Sequence, residues 1–151
     1  MAGTKPFIRP MKPEDIAEVL ELEAGSLVAW SRAHFENELQ QPAGFQFVAA
    51  DGARGKVLGV LCGRIAADEA EILKLSVTRN SRRKGVGSQL LDYALDYCSG
   101  AGVKNCYLEL RASNEAAAGL YKKWGFNRQG IRKKYYNGPC EDAIMMRLHL
   151  K

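Results

Sequence analysis

The chain has 151 residues, of which 46% are hydrophobic and 26% charged, and a formal net charge of +5. This length predicts one domain over residues 1–151, large enough for a hydrophobic core without disulfide or metal staples. The longest uncharged apolar runs fall far short of the roughly 18–20 residues that span a membrane. No apolar signal segment is visible, so we expect a cytoplasmic protein without a membrane partner. The modest positive charge does not by itself indicate nucleic-acid binding.

The first half of the chain predicts two helices and three strands. A short strand is expected at Phe7–Met11, followed by a helix that opens at Pro13 and ends near Gly25, and a second helix from about Ser31 to Gln40. Two strand-like runs follow, "FQFVAADG" and "KVLGVLCGRIA". The glycine-containing turn between these runs predicts a β-hairpin.

The second half alternates strands and helices. The strand "EILKLSV" precedes a glycine loop and the helix "QLLDYALDYC", and "NCYLELR" is apolar enough to predict a strand buried on both faces. A further helix begins with Asn114 as its N-cap and ends at Gly125, and two strand-like stretches close the chain. This order predicts a mixed α/β or α+β domain with a single sheet of about seven strands and about four helices.

The cysteines and histidines do not form a metal-binding pattern. No Cys-x-x-Cys spacing occurs, and neither histidine lies near a cysteine in the sequence. We therefore expect no metal, and reduced thiols that are mostly in the core.

The loop "RRKGVGS" has the features of a phosphate-binding site. It precedes a helix, whose N-terminus attracts anions, and its two glycines allow an anion to approach the backbone closely. A third glycine of the dinucleotide-binding pattern is missing, because Leu90 stands in its place, and the pattern of a P-loop is also absent. A solvated basic turn is the structural alternative.

The motif Arg82-x-x-Gly85-x-Gly87 before a helix resembles the acetyl-coenzyme A motif of the GNAT acetyltransferase superfamily. The stretches "LELRASNEAAAGLYKKWGF" and "IRKKYYNGPCEDAIMMRL" are similar to those of RimI-type enzymes, which acetylate the N-terminal alanine of a small-subunit ribosomal protein. The resemblance implies a GNAT fold, with a bent mixed sheet that splits between its fourth and fifth strands. It also implies acetyl-coenzyme A as co-substrate. Separately, we expect a monomer.

The resemblance implies a set of cofactor-binding residues. Pantetheine would lie in the split and pair with the backbone of the fourth strand, the loop before the helix would hold the diphosphate, and the N-cap of the last helix would contact the cofactor. These residues are Leu75, Ser76 and Val77 in the strand, Arg82, Arg83, Lys84, Gly85, Val86, Gly87 and Ser88 in the loop, and Asn114 at the N-cap.

Two residues are candidates for acid–base catalysis. Acetyl transfer needs a neutral amine, and Glu109 near the end of an apolar strand is placed to accept its proton. A salt bridge of Glu109 with Arg111 or Lys104 is the structural alternative. Tyr121 lies two helical turns after Asn114 on the same face, where it could protonate the leaving thiolate or serve as an ordinary core aromatic. RimI-type enzymes assign the base to this glutamate and the acid to this tyrosine.

Aromatic residues are candidates for the peptide slot. Tyr135 and Tyr136 resemble the tyrosine pair of N-terminal acetyltransferases, although strand alternation predicts opposite faces for them unless the strand ends there. Trp30, with Ser31 and Phe35, could form the opposite wall. Ordinary strand aromatics are the alternative for the tyrosines.

Three functions are therefore compared. The first is a protein N-terminal acetyltransferase, and the second is a GNAT enzyme for lysine side chains, polyamines or other small amines. The third is a noncatalytic RNA-binding module that would use the basic residues Arg79, Arg82, Arg83, Lys84, Arg128, Arg132, Lys133 and Lys134. The aromatics are not interleaved with these cations, so the sequence favours an enzyme that needs no direct nucleic-acid contact.

Overall fold

The computed structural model of the protein describes residues 5–24, 26, 29–81 and 85–150. The predicted helix end at Gly25 and the loop cations Arg82, Arg83 and Lys84 lie outside the described residues.

Seven strands of the described part form one sheet. They are β1 (Phe7–Pro10), β2 (Gly44–Ala50), β3 (Val57–Ala66), β4 (Glu69–Val77), β5 (Asn105–Arg111), β6 (Asn127–Tyr136) and β7 (Glu141–His149). Their order is β1-β2-β3-β4-β5-β7-β6, and every neighbouring pair is antiparallel except β4 and β5. The expected mixed sheet and the β2–β3 hairpin are confirmed, and β6 lies at one edge with most of its residues exposed.

In the described residues, four α-helices flank the sheet: α1 (Ile16–Glu23), α2 (Arg32–Leu39), α3 (Val86–Gly100) and α4 (Glu115–Lys123). Short polar side chains cap two of their N-termini, because the first backbone N–H groups of a helix have no partner within it. The Ser31 hydroxyl accepts a hydrogen bond from the His34 N–H at 3.1 Å, and the Asn114 side chain accepts one from the Ala117 N–H at 3.2 Å. Asn114 thus caps α4 as predicted.

The sheet separates two hydrophobic cores. The larger one lies beneath α3 and α4 and includes Leu90, Leu91, Leu108 and Phe126, whereas the smaller one lies beneath α1 and α2 around Phe35. Each helix pair buries the apolar stripe that its 3.6-residue periodicity creates.

The sheet opens between its two central strands. β4 pairs with β5 only over Glu69–Ile72 and Asn105–Leu108, although β4 continues to Val77 and β5 to Arg111. On its other side β4 remains paired with β3 as far as Val77. The predicted split between the fourth and fifth strands is therefore present, and it begins immediately before Glu109.

The prediction that β5 is buried on both faces is wrong. Leu108 and Leu110 point into the larger core, whereas Tyr107 and Glu109 on the opposite face are only half-buried. The helices on that face, α1 and α2, pack on β2, β3 and β4. The face of β5 that carries Glu109 therefore borders the opening of the sheet.

The four cysteines are free thiols, and three of them are buried as expected: Cys62, Cys98 and Cys106. Burial raises the pKa of Cys106 to about 12, which keeps this thiol protonated and unreactive at neutral pH. Cys140 is exposed. Over the described residues, no three His, Cys, Asp or Glu side chains are grouped to bind a metal ion, and none of the helices is long and apolar enough to cross a membrane.

Candidate active site

Glu109 is the first residue of β5 beyond its last pair with β4. Its side chain is 20% exposed, and its Oε1 lies 3.0 Å from the Nε of Arg132 on β6. The predicted alternative partners, Arg111 and Lys104, are therefore wrong. β7 lies between β5 and β6 in the sheet, so a residue distant in sequence reaches Glu109 across the intervening strand.

Two further ionisable groups lie near Glu109. Burial, and after it the charge of Glu109, raises the pKa of Glu71 on β4. The same two causes, in the same order, raise the pKa of the Tyr136 hydroxyl. Glu71 and Tyr136 therefore share the electrostatic environment of Glu109, and sequence reasoning did not identify Glu71 as a neighbour of Glu109.

The two tyrosines of β6 lie together. Their ring centroids are 5.2 Å apart in an edge-to-face arrangement. Strand alternation predicted opposite faces unless the strand ended there, and β6 does end at Tyr136. Lys134 adopts a φ of 50°, and the pairing register with β7 breaks between Arg132 and Tyr136. This irregularity ends the alternation and brings both rings to one side of the strand.

Arg111 connects β5 to the turn between β6 and β7, and sequence reasoning missed this role. Its Nη1 donates to the carbonyl of Pro139 at 2.8 Å, its Nη2 donates to the carbonyl of Asn137 at 3.0 Å, and its guanidinium lies 4.7 Å from the ring centroid of Tyr136. Nη1 also lies 3.3 Å from Oε1 of Glu141. The only sequence signal was a cation at the end of an apolar strand.

Tyr121 lies on the opposite face of the sheet, in the larger core. It is 7% exposed and packs edge-to-face on Phe126 at 5.5 Å. Its hydroxyl makes no hydrogen bond to any of the described residues. Burial raises the pKa of Tyr121, so the hydroxyl is protonated at neutral pH and can donate a proton.

The start of α3 is the candidate site for the diphosphate of a coenzyme. Gly85 is the N-cap residue with a φ of 83°, and within the described part of the chain no side chain caps this helix end. The backbone N–H groups of Val86, Gly87 and Ser88 are therefore left for an anion. A Cβ placed on Gly87 would lie 3.5 Å from Leu120 and 3.6 Å from Val77, so α3 begins beside α4 and the end of β4.

The remaining coenzyme candidates lie along the split. Leu75 and Ser76 follow the last β4–β5 pair, and Leu75, Ser76 and Val77 pair on their other edge with Leu61, Val60 and Gly59 of β3. Asn114 is exposed at the start of α4. Its side-chain oxygen is used for capping, so its amide N–H groups are the atoms left to contact a ligand.

Trp30 lies beside the split, on the face that carries Glu109. Its ring stacks on His34 at 3.8 Å, and Nζ of Lys74 lies 5.1 Å from its centroid. Two residues expected beside it have other roles, since Phe35 is fully buried in the smaller core and Ser31 caps α2. Of the three residues proposed for this wall, only Trp30 remains a candidate.

The conformation of Gly85 predicts a measurable stability cost. Gly85→Ala should lower the free energy of unfolding by about 1–2 kcal/mol, because a Cβ is disfavoured at positive φ. Gly119→Ala is the control: Gly119 is inside α4 with open space around a new Cβ, so this change should stabilise the protein by about 0.5–1 kcal/mol. Urea denaturation measures the free energy of unfolding of both variants. Equal changes in the two variants would contradict the positive φ assigned to Gly85.

Comparison with known proteins agrees with this geometry. Residues 15–126 match the acetyltransferase (GNAT) family. The [ribosomal protein bS18]-alanine N-acetyltransferase of Escherichia coli K12 is 35% identical over 122 residues, which cover 79% of this chain and 80% of that protein. The N-alpha-acetyltransferase RimI of Mycobacterium tuberculosis is 34% identical over an alignment of 154 residues, which covers 97% of this chain and 94% of that protein.

A solved structure has the same fold. The crystal structure of the ribosomal-protein-S18-alanine N-acetyltransferase from Escherichia coli superposes with a TM-score of 0.87 at 30% identity, covering 96% of this chain and 94% of that chain. The GNAT fold expected from the motifs is confirmed. With its split sheet, the glycine at the start of α3 and these matches, the chain belongs to the acetyltransferase (GNAT) family.

Proposed function

We propose that the protein transfers the acetyl group of acetyl-coenzyme A to the N-terminal α-amino group of a protein. The observation that carries this proposal is the position of Glu109, a half-buried carboxylate at the point where β4 and β5 separate. The relatives are named as enzymes for the N-terminal alanine of ribosomal protein bS18. We therefore propose that alanine terminus as the substrate, with residues 1–151 acting as one catalytic domain.

The coenzyme would bind along β4 and at the start of α3. Backbone groups of Leu75, Ser76 and Val77 would pair with the pantetheine amides as an added strand, and the N–H groups at the start of α3 would bind the diphosphate. The loop cations Arg82, Arg83 and Lys84 would add formal charge there, and the Asn114 amide would donate to the pantetheine. This arrangement directs the thioester into the split, between the faces that carry Glu109 and Tyr121.

Glu109 would act as the general base. An α-amino group has a pKa near 8 and is mostly protonated at neutral pH, so it must lose a proton before its nitrogen can attack. In the structure the Glu109 carboxylate contacts the Arg132 guanidinium. A substrate ammonium carries the same charge and would compete with Arg132 for this carboxylate, which brings the amine to the base.

Tyr121 would act as the general acid. The amine nitrogen forms a bond to the acetyl carbon, the bond from that carbon to sulfur breaks, and coenzyme A leaves as a thiolate. Glu109 takes the first proton of the ammonium before the attack and passes it to solvent. Glu109 then takes a second proton from the nitrogen as the amide forms, and the thiolate takes one from the Tyr121 hydroxyl. Solvent then returns both side chains to their starting protonation states. The raised pKa of Tyr121 keeps the required proton in place.

Tyr135, Tyr136 and Trp30 would form the peptide slot. The Tyr136 ring lies over Arg111, and Tyr135 is about half exposed, so both tyrosine rings border the turn that Arg111 holds. Their hydroxyls can bind peptide backbone, which an N-terminal substrate offers beside its amine and a polyamine does not. This difference favours an α-amino acceptor over polyamines and other small amines.

A panel of amines tests the proposal. The purified protein is incubated with acetyl-coenzyme A and peptides of one sequence that either carry a free N-terminal alanine or are N-blocked and contain lysine, together with polyamines. Mass spectrometry locates the acetyl group. Acetylation confined to the α-amino group is expected. Transfer only to lysine or polyamines would overturn the substrate assignment, whereas no transfer, combined with salt-dependent RNA binding, would favour a noncatalytic module.

A further inference from the structure

Glu23 is a buried carboxylate without a role in the chemistry above. It is the last residue of α1 and is only 1% exposed. A carboxylate this deeply buried is retained only if charged and polar partners satisfy it. Its partners therefore show which parts of the fold depend on it.

Among the described residues, three nitrogen or hydroxyl donors contact the Glu23 carboxylate. One comes from Trp30 and two come from β4. Nζ of Lys74 lies 2.8 Å from Oε1, the Trp30 backbone N–H donates to Oε1 at 3.1 Å, and the Ser76 hydroxyl donates to Oε2 at 2.6 Å. Lys74 and Ser76 belong to the part of β4 beyond its last pair with β5. Glu23 thus links this part of β4 to Trp30.

Trp30 is held on two sides by this cluster. Its backbone N–H is bound by Glu23, and its ring lies 5.1 Å from the Lys74 ammonium that Glu23 also binds. The stack on His34 extends this arrangement to the first turn of α2. The position of the Trp30 ring therefore depends on where Glu23 and Lys74 are held.

Ser76 connects the proposed coenzyme-binding segment of β4 to Glu23: its backbone belongs to that segment, and its side chain contacts Glu23. Its cross-strand partner is Val60, which belongs to the smaller core, so the Ser76 side chain projects toward α1 and α2. Its backbone lies in the segment assigned to pantetheine. A ligand that fixes this backbone also fixes the hydroxyl that donates to Glu23.

We propose that Glu23 is a positioning residue that couples coenzyme binding to peptide binding. Pantetheine along β4 holds Ser76 in place, Ser76 holds Glu23, and Glu23 holds Trp30 in the wall of the peptide slot. This inference rests on the proposed function, because it takes the coenzyme and peptide positions from it. Coupling of this kind is reciprocal: each ligand strengthens the binding of the other by the same factor.

Binding measurements on Ser76→Ala test the coupling. Calorimetry gives the Kd of an alanine-initiated peptide in the absence and in the presence of saturating coenzyme A. Coenzyme A carries no acetyl group, so the peptide is not acetylated during the measurement. In the wild type, coenzyme A should lower the peptide Kd by about 5-fold or more. In Ser76→Ala this factor should fall toward one. Because the factor compares two peptide Kd values within one variant at saturating coenzyme A, it does not depend on how tightly that variant binds coenzyme A. Glu23 keeps its other two donors, so the variant should fold.

Two further variants separate coupling from a general disturbance of β4. Ser76→Thr keeps a hydroxyl and should restore the coupling. Thr78 directly follows β4, and its hydroxyl makes no hydrogen bond to the described residues. Thr78→Ala removes this hydroxyl and should leave the coupling intact.

The outcomes distinguish this inference from the proposed function. A wild-type protein that acetylates the peptide but binds it equally well with and without coenzyme A would overturn the coupling alone. Undiminished coupling in Ser76→Ala would overturn the role of Glu23. Failure of the wild type to acetylate the peptide would overturn the proposed function and, with it, this inference.

Discussion

Glu109→Gln is expected to lower kcat by about 100-fold or more while the Kd of acetyl-coenzyme A stays nearly unchanged. Glutamine has the size of glutamate and can still accept a hydrogen bond from Arg132, but it cannot take a proton from the amine. The residue lies at the mouth of the split rather than along the proposed coenzyme path. Steady-state kinetics with an alanine-initiated peptide, combined with coenzyme titration by calorimetry, measures both quantities.

Glu71→Gln is the matched control for this experiment. Glu71 is a second carboxylate in the electrostatic environment of Glu109, but it lies on β4 within the paired region, before the split begins. We expect a much smaller loss of kcat than for Glu109→Gln. If Glu71→Gln caused the larger loss, the base would be Glu71, and an unchanged rate in both variants would place the base elsewhere.

Tyr121→Phe is expected to lower kcat by about 100-fold, near the lower end of the range for general acid–base catalysis, because a thiolate is already a good leaving group. The substitution removes only the hydroxyl and keeps the ring that packs on Phe126. The protein should retain its melting temperature, since this hydroxyl bonds to none of the described residues. Single-turnover kinetics and thermal denaturation test both statements.

The pH dependence provides a second test of Tyr121. Burial raises the pKa of this hydroxyl above its ordinary value near 10, so it stays protonated throughout the neutral and mildly alkaline range. Below about pH 10, loss of this proton should therefore not reduce the wild-type rate.

Tyr97→Phe is the control for the substitution of Tyr121. Tyr97 lies on the exposed side of α3, and its substitution should leave the rate unchanged. An equal rate for Tyr121→Phe and wild type would leave Tyr121 as a core aromatic.

Local signals in the sequence were sufficient for most of the fold. Asn114 marked the start of α4 because its short side chain can accept from the first turn, and the turn after Ala50 marked a hairpin between two apolar runs. Gly85 and Gly87 marked a loop that runs into a helix, and α3 begins directly after Gly85. Each of these features is decided by residues only a few positions apart.

Features that depend on strand order could not be predicted in this way. Arg132 reaches Glu109 because β7 separates β5 from β6, and the two tyrosines share one side because β6 is irregular near Lys134. Alternation treats a strand as regular and therefore placed them on opposite faces. The partners of Glu23 come from two other segments, Trp30 before α2 and Lys74 and Ser76 on β4, so its burial has no counterpart in the local sequence.

The edge position of β6 has a consequence for solubility. An open strand edge offers unpaired backbone groups to a strand of another molecule, and such pairing leads to aggregation. β6 carries Arg128, Lys133 and Lys134, all of them exposed. Two copies that approach through this edge would bring like charges together. Electrostatic repulsion thus protects this exposed edge strand, and Tyr135 can remain accessible near its end.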